Sequence, residues 1–263
     1  LLDLPMLNQT FEEWSQQMTA LLQAKPRSEL SASLLDRLAQ QDPLATASEE
    51  LLADFAAEYT QLLHRYRHEF GLSVIQPGRF ILPGELEGAP ILQFVPYPCF
   101  SQIDDDDYAN APDTSFIGML KARYIEYKER VVRKFYKEHF LNFDRQIVLA
   151  DCLTPLNSGV DSFKDLQYAI ELILESFNYG KSSLFSRLFS PKIDKLLFAA
   201  SKADHVTPEQ HANLVSLLDQ LVHQARQKLN FEAIAMKTMA VASVKATKFG
   251  HSEYQGSSVP VLQ

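Results

Sequence analysis

One stretch limits what this chain can fold into more than any other. Lys195 is followed by the apolar run Leu196-Leu197-Phe198-Ala199-Ala200, then by Ser201-Lys202-Ala203-Asp204-His205, then by Thr207-Pro208-Glu209-Gln210. A short apolar run bounded by polar residues is too brief for a helix and predicts a strand buried on both faces. Thr207 as N-cap, Pro208 at the first helical position and Gln210 three residues after the cap predict a helix start. The order is therefore strand, polar loop, helix. In open α/β sheets ligands bind beyond the carboxyl ends of strands, and Lys202 and Asp204 stand at such an end.

The chain around this stretch repeats the pattern. Gln146-Ile147-Val148-Leu149-Ala150 ends in Asp151, which reads as a second buried parallel strand with an acid at its carboxyl end. That acid either caps a turn or reaches Mg²⁺ through water, and the turn-capping reading is preferred. Helices are expected over 162–177 and 208–229, and β-prone runs over 231–236 and 238–242. Ser243 and Val244 open a small-residue loop after the last of these. Residues 248–263 contain Gly and Ser and are expected to be mobile. Gly180-Lys181-Ser182-Ser183 copies the tail of a phosphate-binding loop, but Glu175 stands where that motif needs its first Gly, and a helix precedes it instead of a strand.

The first half reads differently. Apolar residues recur at helical spacing over 6–23, 29–40 and 46–70, the third with Thr46 and Glu49 as a capping box and Gly71 closing it. His64 and His68 lie four apart on that helix, and an exposed polar face is the preferred reading over a metal pair. Residues 79–82 and 91–95 read as two short strands of a β-hairpin or arm. Asp104–Asp107 reads as a solvated loop. A long helix over 115–140 carries Lys121, Arg123, Lys128, Arg130, Arg133, Lys134 and Lys137, read as an ion-paired solvated face in preference to an arginine supplied to a phosphate.

A net charge of −8 and a pI near 5.4 argue against nucleic acid as the partner. No run reaches the ~18 apolar residues of a membrane span. Cys99 and Cys152 lack metal spacing and suit a reducing compartment. With 46% apolar residues the 263-residue chain has material for a sizeable core.

Ser201-Lys202-Ala203-Asp204 resembles the base-reading element of P-loop GTPases, Asn-Lys-x-Asp. The resemblance implies that the Asp204 carboxylate accepts from two donors on the guanine edge, which adenine does not offer, and that the Lys202 stem lies over the base plane. Ser201 departs from the usual Asn, and with it goes an amide that braces the loop. The loop at Ser243 and Val244 is similar to the last guanine-contacting loop of such proteins, with the backbone N–H of Val244 as donor.

Longer stretches extend the likeness. Residues 143–159, with Gln146-Ile147-Val148-Leu149-Ala150-Asp151, residues 188–206, Ile75-Gln76-Pro77-Gly78-Arg79-Phe80 and Leu1-Leu2-Asp3-Leu4-Pro5-Met6-Leu7 all resemble the YcjX family of bacterial stress-associated P-loop GTPases. The resemblance implies an α/β fold: the second half of a Ras-like P-loop NTPase sheet, with a mainly helical inserted domain bearing a short β-arm. It implies GTP or GDP and Mg²⁺ as ligands and a cytoplasmic stress-response GTPase; the helical domain is expected to meet an unidentified protein partner. On it, residues 1–142 are the helical insertion, entered through the end of the second switch, and 143–263 the C-terminal half of the nucleotide-binding domain. Lys202 and Asp204 are the base contacts, with His205, Ser243 and Val244 as their loop neighbours. The family's phosphate-binding loop and switches are expected before Leu1, so catalytic residues and Mg²⁺ ligands are not expected in this stretch. The alternatives are a non-hydrolysing nucleotide-dependent interaction module and an ATPase of related fold.

Overall fold

The computed structural model describes residues 3–178, 195–228, 235–244 and 247–262. The chain divides into two compact units, Leu1–His139 and Phe140–Gln263.

The first unit is helical. α1 (Phe11–Gln23) starts on a capping box in which the Thr10 hydroxyl accepts from the Glu13 N–H while the Glu13 carboxylate accepts from the Thr10 N–H. α2 (Ser28–Ala39) and α3 (Glu49–His68) follow. α3 is capped by Ser48, which accepts from the Leu51 N–H at 3.2 Å, and not by Thr46. Thr46 instead forms an isolated antiparallel bridge with Ser115. Gly71, at φ 62°, supplies the left-handed residue past the end of α3.

The β-arm expected over 79–95 is absent: α4 (Gly78–Ile81) and two 3₁₀ turns, Gly84–Leu86 and Pro90–Leu92, stand in its place. Pro77, Pro83, Pro90, Pro96 and Pro98 remove ladder donors throughout the segment. Its apolar residues go into the helical core instead, where the Phe94 ring packs against Trp14, Phe80, Tyr124 and Tyr127 at centroid distances of 5.0–5.8 Å. The acidic run is not a loop either. Asp104 accepts from the Asp106 N–H and starts α5 (Asp105–Ala109), because acids suit the positive end of a helix.

α6 (Phe116–Tyr127) is capped by Ser115 and continues through a widened, π-type turn, Lys128–Arg133, into α7 (Lys134–Glu138). Arg130 pairs along it with Glu126 at 2.6 Å and Arg133 with Glu129 at 2.5 Å, in the favourable order with Glu towards the N-terminus, while Lys128 donates to Gln9 O at 3.0 Å and Lys121 lies over the Tyr108 ring. His64 and His68 stack 6.0 Å apart on the solvent side of α3.

The second unit is α/β. β1 (Arg145–Ala150), β2 (Lys195–Ala200) and β3 (Ala235–Ala240) form a parallel sheet in the order β1-β2-β3, in register from Arg145↔Lys195↔Ala235 to Ala150↔Ala200↔Ala240. α8 (Leu153–Ser158) and α9 (Val160–Asn178) follow β1, and α10 (His211–Lys228) follows β2 after a 3₁₀ turn, Pro208–Gln210. Thr207 does not cap through its side chain. The turn closes through the backbone, Gln210 N–H to Thr207 O at 2.8 Å.

α10 packs on β2 and β3 and against α9, on the sheet face where Val148, Ala150, Leu196 and Phe198 are buried. The other face leaves Ile147 65% and Leu149 68% exposed. Among the described residues β1 has no further strand on its outer edge. Residues 249–262, expected to be mobile, form the antiparallel hairpin β4 (Phe249–Tyr254) and β5 (Ser257–Leu262). Its two-residue turn holds Gln255 and Gly256 at φ 51° and 76°, the sign that matches strand twist. The Gly180-Lys181-Ser182-Ser183 stretch, residues 231–234 and 188–194, and Lys245-Ala246 lie outside the described residues.

Candidate functional site

The carboxyl ends of the three parallel strands are laced together by backbone bonds that continue the ladder. Ser201 donates to Ala150 O at 2.9 Å, Val241 donates to Ala200 O at 2.8 Å, and Ala203 donates to Val241 O at 3.1 Å. The loop after β2 therefore has fixed neighbours on both sides. Within it Lys202 adopts the left-handed conformation, φ 63° and ψ 30°, and Ala203–His205 form a 3₁₀ turn.

Asp204 is the more enclosed of the two charged loop residues. Its side chain is 17% exposed, against 43% for Lys202. Its backbone oxygen accepts from the Thr247 hydroxyl at 3.0 Å, which ties the loop to the segment leading into β4. The His211 ring, at the start of α10, lies with Nε2 2.8 Å from Ala203 O. Asp204, Val206, His211, Val241, Thr247 and Phe249 line a cavity of about 270 Å³. His205 is largely exposed, its Nε2 3.9 Å from the Asp204 carboxylate, beyond hydrogen-bond distance. Ser243 and Val244 are exposed in the turn after β3, Val244 at 67%.

Lys202 is engaged on the β1 side. Its Nζ lies 2.6 Å from Asp151 Oδ2 and donates to Thr154 Oγ1 at 2.9 Å. The Thr154 hydroxyl in turn donates to Asp151 Oδ2 at 2.7 Å, and the Thr154 N–H donates to Asp151 Oδ1 at 3.1 Å. Burial pulls the Asp151 carboxyl upward, but the bonds from Lys202 and Thr154 together outweigh it and hold it below its ordinary value. Asp151 thus takes the turn-capping role, with both oxygens occupied by protein donors. Cys152, beside it, is buried, and burial with the neighbouring carboxylate pushes its thiol up to about 11. Among the described residues no group of three or more His, Cys, Asp and Glu side chains is placed to hold a metal ion, and no helix is long and apolar enough to cross a membrane.

The structure therefore brings Lys202 and Asp204 to the carboxyl end of β2 with His205 exposed next to them, and leaves Ser243 and Val244 exposed after β3, outside the lining of the cavity. Sequence reasoning missed Thr247 and His211, and missed the Asp151–Thr154–Lys202 network. The spacing Asp151-x-x-Thr154 directly after an apolar strand carried part of that signal, as a side-chain cap of the following turn.

The YcjX-like family, DUF463, matches residues 1–263. The chain is 52% identical over 263 residues to a Ras-like GTPase, YcjX, of Escherichia coli (strain K12), covering all of this chain and 56% of that protein. It is 42% identical over 266 residues to the Ras-like GTPase YcjX of Shewanella oneidensis, again over all of this chain and 54% of the relative. The chain thus spans a little over half the length of the curated relatives it matches.

Proposed function

Because this chain belongs to the YcjX-like family, DUF463, over its whole length, we propose that it carries the guanine-recognising part of a GTP-binding and GTP-hydrolysing protein. Asp204 supports this reading most. Its carboxylate stands at the carboxyl end of a buried parallel strand, largely enclosed, in a loop braced from both sides. A carboxylate held there accepts from the N1–H and 2-amino donors of guanine. Adenine has no such donor pair and would leave the charge unpaired, a large penalty in an enclosed site.

The brace lost with Ser in place of Asn at position 201 has substitutes. The Ser201 hydroxyl reaches Ala150 O at 3.4 Å, and Thr247 holds the Asp204 backbone. His205, Ser243 and Val244 form the outer rim of the base site, with the Val244 N–H as donor to the base carbonyl.

Phosphate binding and Mg²⁺ coordination fall, on this reading, to the part of the relatives' length that this chain does not span. Stabilisation of the transferring phosphoryl group rests on those parts, so these 263 residues supply base selection and not turnover. The sheet is the second half of a larger Ras-like one, which accounts for the open apolar face at Ile147 and Leu149. The helical unit is an insertion that contacts a protein partner, in a cytoplasmic stress-response protein.

Competition of GTP and ATP against a fluorescent guanine nucleotide on the full-length protein tests this. Displacement by GTP at least a hundredfold more effective than by ATP is expected. Equal displacement returns the ATPase alternative, and no binding of either leaves an interaction module.

A further inference from the structure

Lys202 is one of two described non-glycine residues with a positive φ, the other being Gln255 in the β4–β5 turn. The left-handed region is costly for an L residue, and Asn, Asp and Gly occupy it most readily. Lysine has no short side chain to bond its own backbone. Backbone bonds from Ser201 to Ala150 O and from Ala203 to Val241 O fix the residues on either side of it, and the Lys202 side chain adds a hold of its own from outside the loop. The Lys202 ammonium reaches back across the sheet to Asp151 and Thr154, at 2.6 and 2.9 Å.

The donors and acceptors in this network leave little freedom. Thr154 Oγ1 accepts from Lys202, so its proton goes to Asp151 Oδ2. The Thr154 N–H fixes the other carboxylate oxygen. The β1 end is itself tied to the loop by the Ser201–Ala150 bond. Asp151 and Thr154 are thus an anchored socket, and Lys202 is the pin.

Asp204 follows two residues after the pin. A change in the Lys202 backbone dihedrals swings the 3₁₀ turn Ala203–His205, and with it the carboxylate. We propose that Asp151 and Thr154 are positioning residues for base recognition, which set the direction of the Asp204 carboxylate by holding Lys202 in its left-handed conformation. This rests on the guanine reading of Asp204. It separates two roles for Lys202 that the sequence merges: the stem covering a base, and the ammonium fixing the loop.

The two roles differ in what they do to base selection. A stem stacked on a purine favours guanine and hypoxanthine alike. An aimed carboxylate favours guanine, which offers N1–H and the 2-amino group, over hypoxanthine, which offers N1–H alone. The test is competition of GDP and IDP against a fluorescent GDP on the full-length protein and on Asp151→Ala, Thr154→Val and Asp151→Glu variants.

The proposal expects the wild type to prefer GDP over IDP, and Asp151→Ala and Thr154→Val to shrink that preference by about tenfold, the scale of one lost charge-assisted bond. Asp151→Glu, which keeps the charge, is expected to recover part of it. Circular dichroism of each variant confirms that it is folded. A wild type that selects GDP while the folded variants keep the same GDP-to-IDP ratio overturns the positioning role and leaves the guanine reading standing. A wild type that does not distinguish GDP from IDP overturns the guanine reading, and the positioning role with it.

Discussion

The Lys202 ammonium lies 2.6 Å from the Asp151 carboxylate, joining the loops that follow two neighbouring parallel strands. Both side chains are more than a third exposed, so the attraction itself is screened and modest in stability terms. Its consequence is geometric, because it decides where the residues after Lys202 point.

The pH dependence of this contact follows from the direction of the Asp151 shift. Its carboxyl is held below the ordinary value of 3.8. A depressed folded value means that the contribution is present above the unfolded value and is lost as pH falls through the folded one. Asp151 should therefore be more fully ionised than a free aspartate when both are measured near pH 4, where free carboxyls are about half protonated. Side-chain carboxyl NMR of selectively labelled protein reads this directly. An Asp151 signal titrating at or above 3.8 contradicts the network.

Asp3 behaves in the opposite sense. It accepts from the Gly78 N–H at 3.0 Å and from the Tyr127 hydroxyl at 2.7 Å, yet burial outweighs these bonds and raises its carboxyl above 3.8. The folded state then binds the proton more tightly than the unfolded chain. Stability from this group falls as pH rises from the unfolded value through the folded one, and recovers on acidification. Comparing wild type with Asp3→Asn, in urea melts followed by Trp14 fluorescence, cancels the other carboxylates. Wild type should gain on the variant between pH 7 and pH 4; a constant difference contradicts the shift.

Gly118 sits in the first turn of α6 where a Cβ would meet Pro112 O at 2.1 Å and Ser115 Oγ at 2.9 Å. The first is backbone and has nowhere to go. Gly118→Ala should cost about 3 kcal/mol by overpacking. Gly88→Ala is the comparison: φ is +73° but nothing lies within 4 Å, so strain alone should cost about 1 kcal/mol. Equal losses would mean that the α6 turn is not packed as described.

Much of this could be read in the residues themselves, and the failures share a cause. The strands at Arg145–Ala150 and Lys195–Ala200 were legible because short apolar runs between polar residues leave little choice. The helices before His68 were legible from their periodic stripes. The arm over 79–95 misread because two short apolar runs between Gly and Pro residues look like strands of a hairpin, whereas Phe94 is drawn to the helical core by Trp14 and Tyr124 and Phe80 by Tyr59, far away in sequence. The β4–β5 hairpin hid because its turn is Gln255-Gly256 and not the Asn-Gly or Asp-Gly that announces one. At the candidate site, Lys202 and Asp204 are a local motif and could be read. Their supports could not, since Thr154 and Thr247 reach them across separations of 48 and 43 residues.

The open sheet face gives a further expectation. All-parallel sheets occur with both faces covered, and Ile147 and Leu149 lie bare on one of them. On the proposed larger sheet, Ile147→Asp or Leu149→Asp should cost the full-length protein about 3 kcal/mol or more, through a buried unpaired charge. In the 263-residue chain alone the same changes should be near neutral. A full-length protein that tolerates both would mean that no layer covers this face.

The proposed function is tested most directly at the Asp204 carboxylate. Xanthine carries a carbonyl where guanine carries its 2-amino group, so Asp204→Asn, whose amide can donate, should exchange one base for the other. Affinities for GDP and xanthosine diphosphate measured on the full-length Asp204→Asn variant should show GDP weakened by about a hundredfold or more and xanthosine diphosphate gained over wild type. An Asp204→Asn variant that binds GDP as the wild type does would contradict the account.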